Sequence, residues 1–240
     1  MRKIFSLLII FILGCTSPTT LTNKKPYIVI TFDDEYESQY THALPILDEF
    51  GYKVTNFINT GKIGSRGKCN WQQIEDLEFV HGWETGGHTL NHPYLPNCDL
   101  EVVKYEVHQD WLNLKNRGLS HESFALPSGS VCEEHLGIIL DDYKNLRCSM
   151  DNVSFYPIDR TMLGYFSYDS SFTPQTMISR FIRAVENKEY AVILGFHKIH
   201  PDDEGFGGNC PPDEFREIMK WLYDNDFEVI TIKELMKKQN

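Results

Sequence analysis

Five side chains in this 240-residue chain have the types and placement needed for one hydrolytic site. Asp33 and Asp34 follow the apolar run Tyr27-Ile28-Val29-Ile30-Thr31-Phe32. His88 and His92 stand four apart in His88-Thr89-Leu90-Asn91-His92-Pro93, and His197 follows Val192-Ile193-Leu194-Gly195-Phe196. One carboxylate and two imidazoles form a nitrogen and oxygen donor set that leaves a coordination position open to water, the mark of a catalytic divalent metal. A second carboxylate beside that water can act as general base. A histidine on the opposite side can protonate a departing amine or alcohol. These groups suffice to hydrolyse an amide or an ester. Singly, an Asp-Asp pair after a strand is common turn chemistry, and an isolated histidine is usually a hydrogen-bonded core or surface group. Their shared placement carries the reading. Gly86, Gly87 and Pro93 around the histidine pair indicate a loop rather than a helix.

The elements that must position these residues are legible as alternating patterns. Apolar, β-branched runs predict strands at 27–32, 54–58, 84–88, 123–126, 144–149, 190–196 and 227–232. Helical spacing, closed by Gly51, Gly82 and Gly118 in the first three cases, predicts helices at 38–50, 70–82, 100–116, 132–141, 174–187 and 212–224. Alternation of this kind predicts an α/β fold with a mainly parallel sheet of about seven strands, open or closed into a distorted barrel. In either form function collects at the C-terminal ends of the strands, where all three groups of candidate residues stand.

Composition narrows the class. The apolar fraction of 41% and the length suit one domain with a sizeable core. A net charge of −11 speaks against nucleic acid, which requires a basic face. A neutral or partly cationic polymer is a better partner, and a monomer is expected. Gly205-Phe206-Gly207-Gly208 lacks the lysine and hydroxyl of a phosphate-binding loop.

The N-terminus is a separate object. Arg2 and Lys3 precede the apolar run Ile4 to Leu13, which is too short to span a bilayer comfortably and has the pattern of a signal-peptide core. It ends in Ile12-Leu13-Gly14-Cys15, which resembles a bacterial lipobox. That resemblance implies cleavage after residue 14 and lipidation of Cys15. Residues 15–26 would then be a tether, and 27–240 an extracytoplasmic domain held at a membrane, with the outer membrane or cell surface favoured. Five cysteines remain, Cys69, Cys98, Cys132, Cys148 and Cys210, an odd number without CxxC spacing. A disulfide between Cys98 and Cys210, each close behind a histidine motif, is one pairing that export would permit.

The motifs together resemble the polysaccharide deacetylases of the NodB-homology type, carbohydrate esterase family 4. Thr31-Phe32-Asp33-Asp34 matches the first motif of that family, and His88 to Pro93 the second, about 55 residues later. Leu194-Gly195-Phe196-His197 matches the late histidine motif. The resemblance extends over roughly residues 26–235 and implies a NodB-like distorted (β/α) barrel. It implies Asp33 as catalytic base, Asp34, His88 and His92 as ligands of a divalent metal, usually zinc, and His197 as catalytic acid. The substrate implied is an acetylated polysaccharide that loses N-acetyl or O-acetyl groups.

One motif departs. An Arg-x-Pro-aromatic sequence is expected where the chain reads Ala125-Leu126-Pro127-Ser128. Pro127 and Ser128 would still line the substrate groove, with the Ser128 N–H as oxyanion donor. Arg147 and Arg160 are candidates to replace the absent guanidinium. Asp151 and Asp159 are candidates for the acid that supports the catalytic histidine. The departure also admits a second reading, a surface carbohydrate-binding protein on a degenerate deacetylase scaffold.

Overall fold

The structure, a computed structural model, describes residues 25–148, 154–202 and 208–239. Its frame is a parallel sheet of β1 (Tyr27–Asp33), β2 (Thr55–Ile58), β3 (Glu84–Gly87), β4 (Ser123–Ala125), β5 (Asn145–Cys148), β6 (Leu163–Gly164), β7 (Phe166–Ser167) and β8 (Ala191–Phe196). The order is β6-β5-β4-β3-β2-β1-β8-β7. The two outer strands are consecutive in sequence, with only Tyr165 between them. β6 pairs with β5 and β7 with β8, so the segment 163–167 bridges the two sides of the sheet and nearly closes it into a barrel. The expected distorted (β/α) barrel is therefore what the chain forms.

Helices pack outside. They are α1 (Leu44–Phe50), α2 (Trp71–Phe79), α3 (Leu100–Asn116), α4 (Glu133–Asp142), α5 (Pro174–Glu186) and α6 (Pro212–Asp224). Local chemistry sets their ends. Gly51 closes α1 at φ 69°, a left-handed turn that glycine adopts without a Cβ clash. Asn70 and Gln73 form a reciprocal capping box at the start of α2. Residues 39–43, expected as the first turns of the helix over 38–50, form a wider π-helical turn instead.

Strand alternation sorts the cores. Ile28, Ile30 and Phe32 face outward into a cluster with α1, α2, α5 and α6, where Phe32 stacks on Trp83 at 5.7 Å. Val29, Phe57, Ala125, Leu163, Ala191 and Ile193 belong to a separate, inner cluster. Asp33 shares the inward face of β1 with Val29, two positions on at each step, at the C-terminal mouth.

The last expected strand is not one. Val229 makes a single parallel bridge to Ile28, at the part of β1 that β2 does not reach. Thr231 and Glu234 then build a capping box that starts α7 (Ile232–Lys237). This helix plugs the N-terminal mouth of the barrel with Ile232, Leu235 and Met236. Its brevity hid it in an apolar run that reads equally well as a strand. The seam at 163–167 was missed for the opposite reason, being two pairs of strand residues with no apolar run. The Cys98–Cys210 pairing is also corrected, because all five described cysteines are free thiols. Cys210 is buried in the outer core with Phe215, while Cys98 packs on the cluster of α3 and α4.

Candidate metal and hydrolytic site

Asp33 ends β1, and Asp34 opens the turn after it with φ 69°. His88 follows β3 directly. The loop beyond it carries positive φ at Thr89 (69°) and His92 (59°). Of seven non-glycine residues with positive φ among those described, Asp34, Glu35, Thr89, His92 and Ser128 lie on these loops and on the Pro127 turn. Each such residue costs about 1–3 kcal/mol of backbone strain, which persists only where surrounding contacts fix it. Clustering at the strand ends therefore marks the region where geometry was held against local preference.

The structure brings the three expected ligands together. Asp34 Oδ1 lies 3.8 Å from His88 Nε2 and 3.7 Å from His92 Nε2. All three donor atoms fall within 4.8 Å of one another, the spacing of groups that converge on a common ion. His88 Nδ1 lies 2.7 Å from the carbonyl oxygen of Ala125, so Nδ1–H donates and Nε2 keeps its lone pair. Burial pushes the His88 pKa down to about 4, which keeps the ring neutral, as ligation demands.

Asp33 is buried beside this triad. Its Oδ2 accepts from Arg147 Nη2 at 2.6 Å, and His197 Nε2 lies 4.0 Å from the same oxygen. Its Oδ1 is buried and has no hydrogen-bond partner among the described residues. Burial raises the Asp33 pKa, but the Arg147 guanidinium beside it, with smaller help from the neighbouring imidazoles, holds the carboxyl below its usual range. Gln39 ties the two expected proton-transfer residues through the backbone. Its Nε2 donates to the carbonyl of Asp33 at 2.7 Å and to that of His197 at 2.9 Å.

Pro127 is buried and Ser128 exposed in a short 3₁₀ turn (Pro127–Gly129), two residues beyond the Ala125 carbonyl that holds His88. Of the two arginines considered for the absent guanidinium, Arg147 reaches Asp33 and Arg160 is exposed. Asp159 is also exposed and caps its own turn through Thr161, so it does not support His197. Asp151 and Cys15 lie outside the described residues.

Several supporting residues were not singled out from the sequence. On α3, Glu106 holds Asn91 through both its N–H at 2.7 Å and its Nδ2 at 2.8 Å. One turn later, buried Asp110 accepts from the N–H of His88 and that of Thr60, each at 3.1 Å. Beneath Asp34, buried Glu35 accepts from the Asn59 N–H at 2.7 Å, and Asn59 Nδ2 donates to the His88 carbonyl. The spacing of Glu106 and Asp110, one helical turn apart on an otherwise apolar inner face, was the signal available.

A sequence-family model described as polysaccharide deacetylase matches residues 20–141. The chain belongs to the polysaccharide deacetylase family. A relative from Bacillus subtilis (strain 168), YxkH, whose name places it among polysaccharide deacetylases, is 34% identical over 73 residues. That match covers 29% of this chain and 26% of the relative, about a quarter of its length. The Xyl-CE4 domain of a multidomain xylanase from the hindgut metagenome of Trinervitermes trinervoides superposes with a TM-score of 0.65 at 19% identity, over 90% of this chain and 92% of that one. BA3943 of Bacillus anthracis, a CE4 family pseudoenzyme, superposes with a TM-score of 0.58 at 16% identity, over 89% and 66%. At these identities the two structures establish the shared fold.

Proposed function

We propose that this protein hydrolyses acetyl groups from an extracytoplasmic carbohydrate polymer, with N-acetyl groups of an amino sugar as the leading substrate and O-acetyl groups as the alternative. The convergence of Asp34, His88 and His92 beside a buried Asp33 whose Oδ1 lacks a partner among the described residues carries this reading. The donor set fits a divalent cation, zinc in the first instance. A cation held there supplies Lewis acidity toward a carbonyl oxygen and toward water.

The chain's own groups supply the rest. Asp33 Oδ1 accepts the proton of the attacking water. The N–H of Ser128, on a turn held at φ 53°, donates to the oxygen on which charge develops. His197, across Asp33 from the triad, gives its proton to the departing amine or alcohol. The barrel interior behind Asp33 is filled by side chains, so the reaction is confined to the mouth.

Membrane anchoring belongs to the same reading, since the lipobox-like Leu13-Gly14-Cys15 precedes a short polar tether. Retention of the wild type, but not of Cys15→Ser, in the membrane fraction is the expected result.

The deciding experiment measures acetate release from chitooligosaccharides, peptidoglycan and acetylated xylan, with zinc or cobalt added. Release from at least one is expected. Sugar binding without any release would establish instead the non-catalytic binding protein, the reading that the neighbouring pseudoenzyme fold keeps open.

A further inference from the structure

Among the described residues, Arg147 is the largest side chain that is fully buried. A buried guanidinium is costly unless its charge is matched, and its one carboxylate partner among the described residues is Asp33. We propose that Arg147, gripped by Tyr165 at the barrel seam, is the positioning residue that aims the Asp33 carboxylate. This rests on the reading of Asp33 as the base.

The contacts define the aim. Arg147 Nη2 occupies Oδ2 of Asp33, which leaves buried Oδ1 as the oxygen with an unused acceptor among the described residues. The guanidinium is itself held by aromatic faces, with Cζ 3.8 Å from the Tyr165 ring centre and 4.9 Å from that of Phe57. Tyr165 is the residue that joins β6 to β7, so closing the barrel lays its ring on the arginine. Gly195 on β8 makes the room. A Cβ there would meet Tyr165 ring carbons at 2.4 and 2.5 Å and Arg147 Nη1 at 3.0 Å.

The place of this arginine explains the departure in the third motif. Ala125 on β4 and Arg147 on β5 are register partners, and both face inward. The cation has moved sideways by one strand at the same height in the barrel. Ala125 keeps only its backbone task, the carbonyl that orients His88. Restoring a long side chain at 125 would crowd the guanidinium already present, so the two positions exchange one function.

A purely structural ion pair would affect folding and not turnover by folded protein. The test therefore separates kcat from KM on the metal-loaded full chain, using an acetylated oligosaccharide that the wild type hydrolyses. For Arg147→Ala, kcat is expected to fall about 100-fold, with KM and zinc affinity changed by less than about threefold. Arg147→Lys keeps the charge without the planar fork and is expected to fold and lose part of that rate. The exchange Ala125→Arg with Arg147→Ala is expected to recover about tenfold. Unchanged kcat in either single variant, a rate loss that only follows zinc loss, or a folded exchange variant with no recovery would each overturn the proposal. Wild-type inactivity on every polymer would overturn the deacetylase reading alone. Crystal structures of wild type and Arg147→Ala then decide this point, since an Asp33 carboxylate in the same orientation in both would refute its being aimed by Arg147.

Discussion

His88 Nδ1 sits 2.7 Å from the carbonyl oxygen of Ala125, a bond from the end of β3 to the end of β4. It fixes the tautomer by donation from Nδ1 and turns Nε2 toward Asp34 and His92. The donor set is thus preset by backbone before any cation binds. Acetate release should be abolished by a chelator and restored by zinc or cobalt. His88→Gln should weaken zinc binding by more than the roughly 10–100-fold typical of losing an outer-shell partner. Equilibrium dialysis against zinc checks this, and near-normal affinity in that variant would remove His88 from the ligand set.

Asp33 and His197 face one another across 4.0 Å, and their assigned roles predict different substrate dependences. Asp33→Asn should lower kcat by about 10²–10⁴-fold on every substrate, because activation of water precedes any departure. His197→Ala should cost a similar factor with an acetamide and far less with an aryl acetate, whose phenolate leaves without protonation. Equal losses of His197→Ala on both substrates would reject its role as acid.

Gly87, the last residue of β3, has no room for a side chain. A Cβ there would meet Tyr143 Oη at 2.1 Å and Asp110 Oδ2 at 2.5 Å, both on buried groups. Gly87→Ala should therefore destabilise by about 2–4 kcal/mol and displace His88, whose N–H is held by the same Asp110. Urea unfolding and zinc affinity measured on the same samples report the two effects. Adding Tyr143→Phe, which removes the nearest clashing atom, should return part of the stability.

How much of this was legible in sequence follows from where each signal resides. β1 and β8 are long apolar runs, and the residues after them, Asp33, Asp34 and His197, stand at the mouth because a parallel strand delivers its C-terminal end there. The convergence of His92 depended on a loop with positive φ at two non-glycine residues, which no propensity forecasts. Arg147 could be named as a candidate only because a guanidinium was lacking. Its contact with Asp33 is made across the barrel, between residues 114 apart in sequence. Gln39 and the Glu106–Asp110 pair were hidden because only the fold brings His197, Asn91 and His88 to them. Asp159 could not be separated from a site acid by sequence, because an aspartate before Thr161 looks alike whether it serves a site or its own turn.

At the opposite mouth, Glu84 joins the plug to the barrel and offers a pH-dependent test of the fold. Its carboxylate accepts from the Lys233 N–H at 2.8 Å, Thr55 Oγ1 at 2.9 Å and Ser123 Oγ at 2.6 Å. Thr55 in turn accepts from the Ile232 N–H and Ser123 from Asn145 Nδ2, so both hydroxyl protons must point at Glu84. Three donors among the described residues thus point at its two oxygens. In Glu84→Gln the amide N–H would oppose one of these donors, at an expected cost of about 1–3 kcal/mol. Burial pushes the Glu84 pKa above its ordinary 4.5, more than the three hydrogen bonds lower it. The folded chain thus binds this proton more tightly than the unfolded chain does. Stability from this group is full below the unfolded value and declines as pH rises through the folded one. The Glu84→Gln variant, having no proton to lose there, shows no such decline. Its deficit relative to wild type should therefore be largest at a mildly acidic pH and shrink at an alkaline one. Urea unfolding of both proteins at the two pH values measures it, and a deficit that widens with pH would show that the three donors outweigh burial.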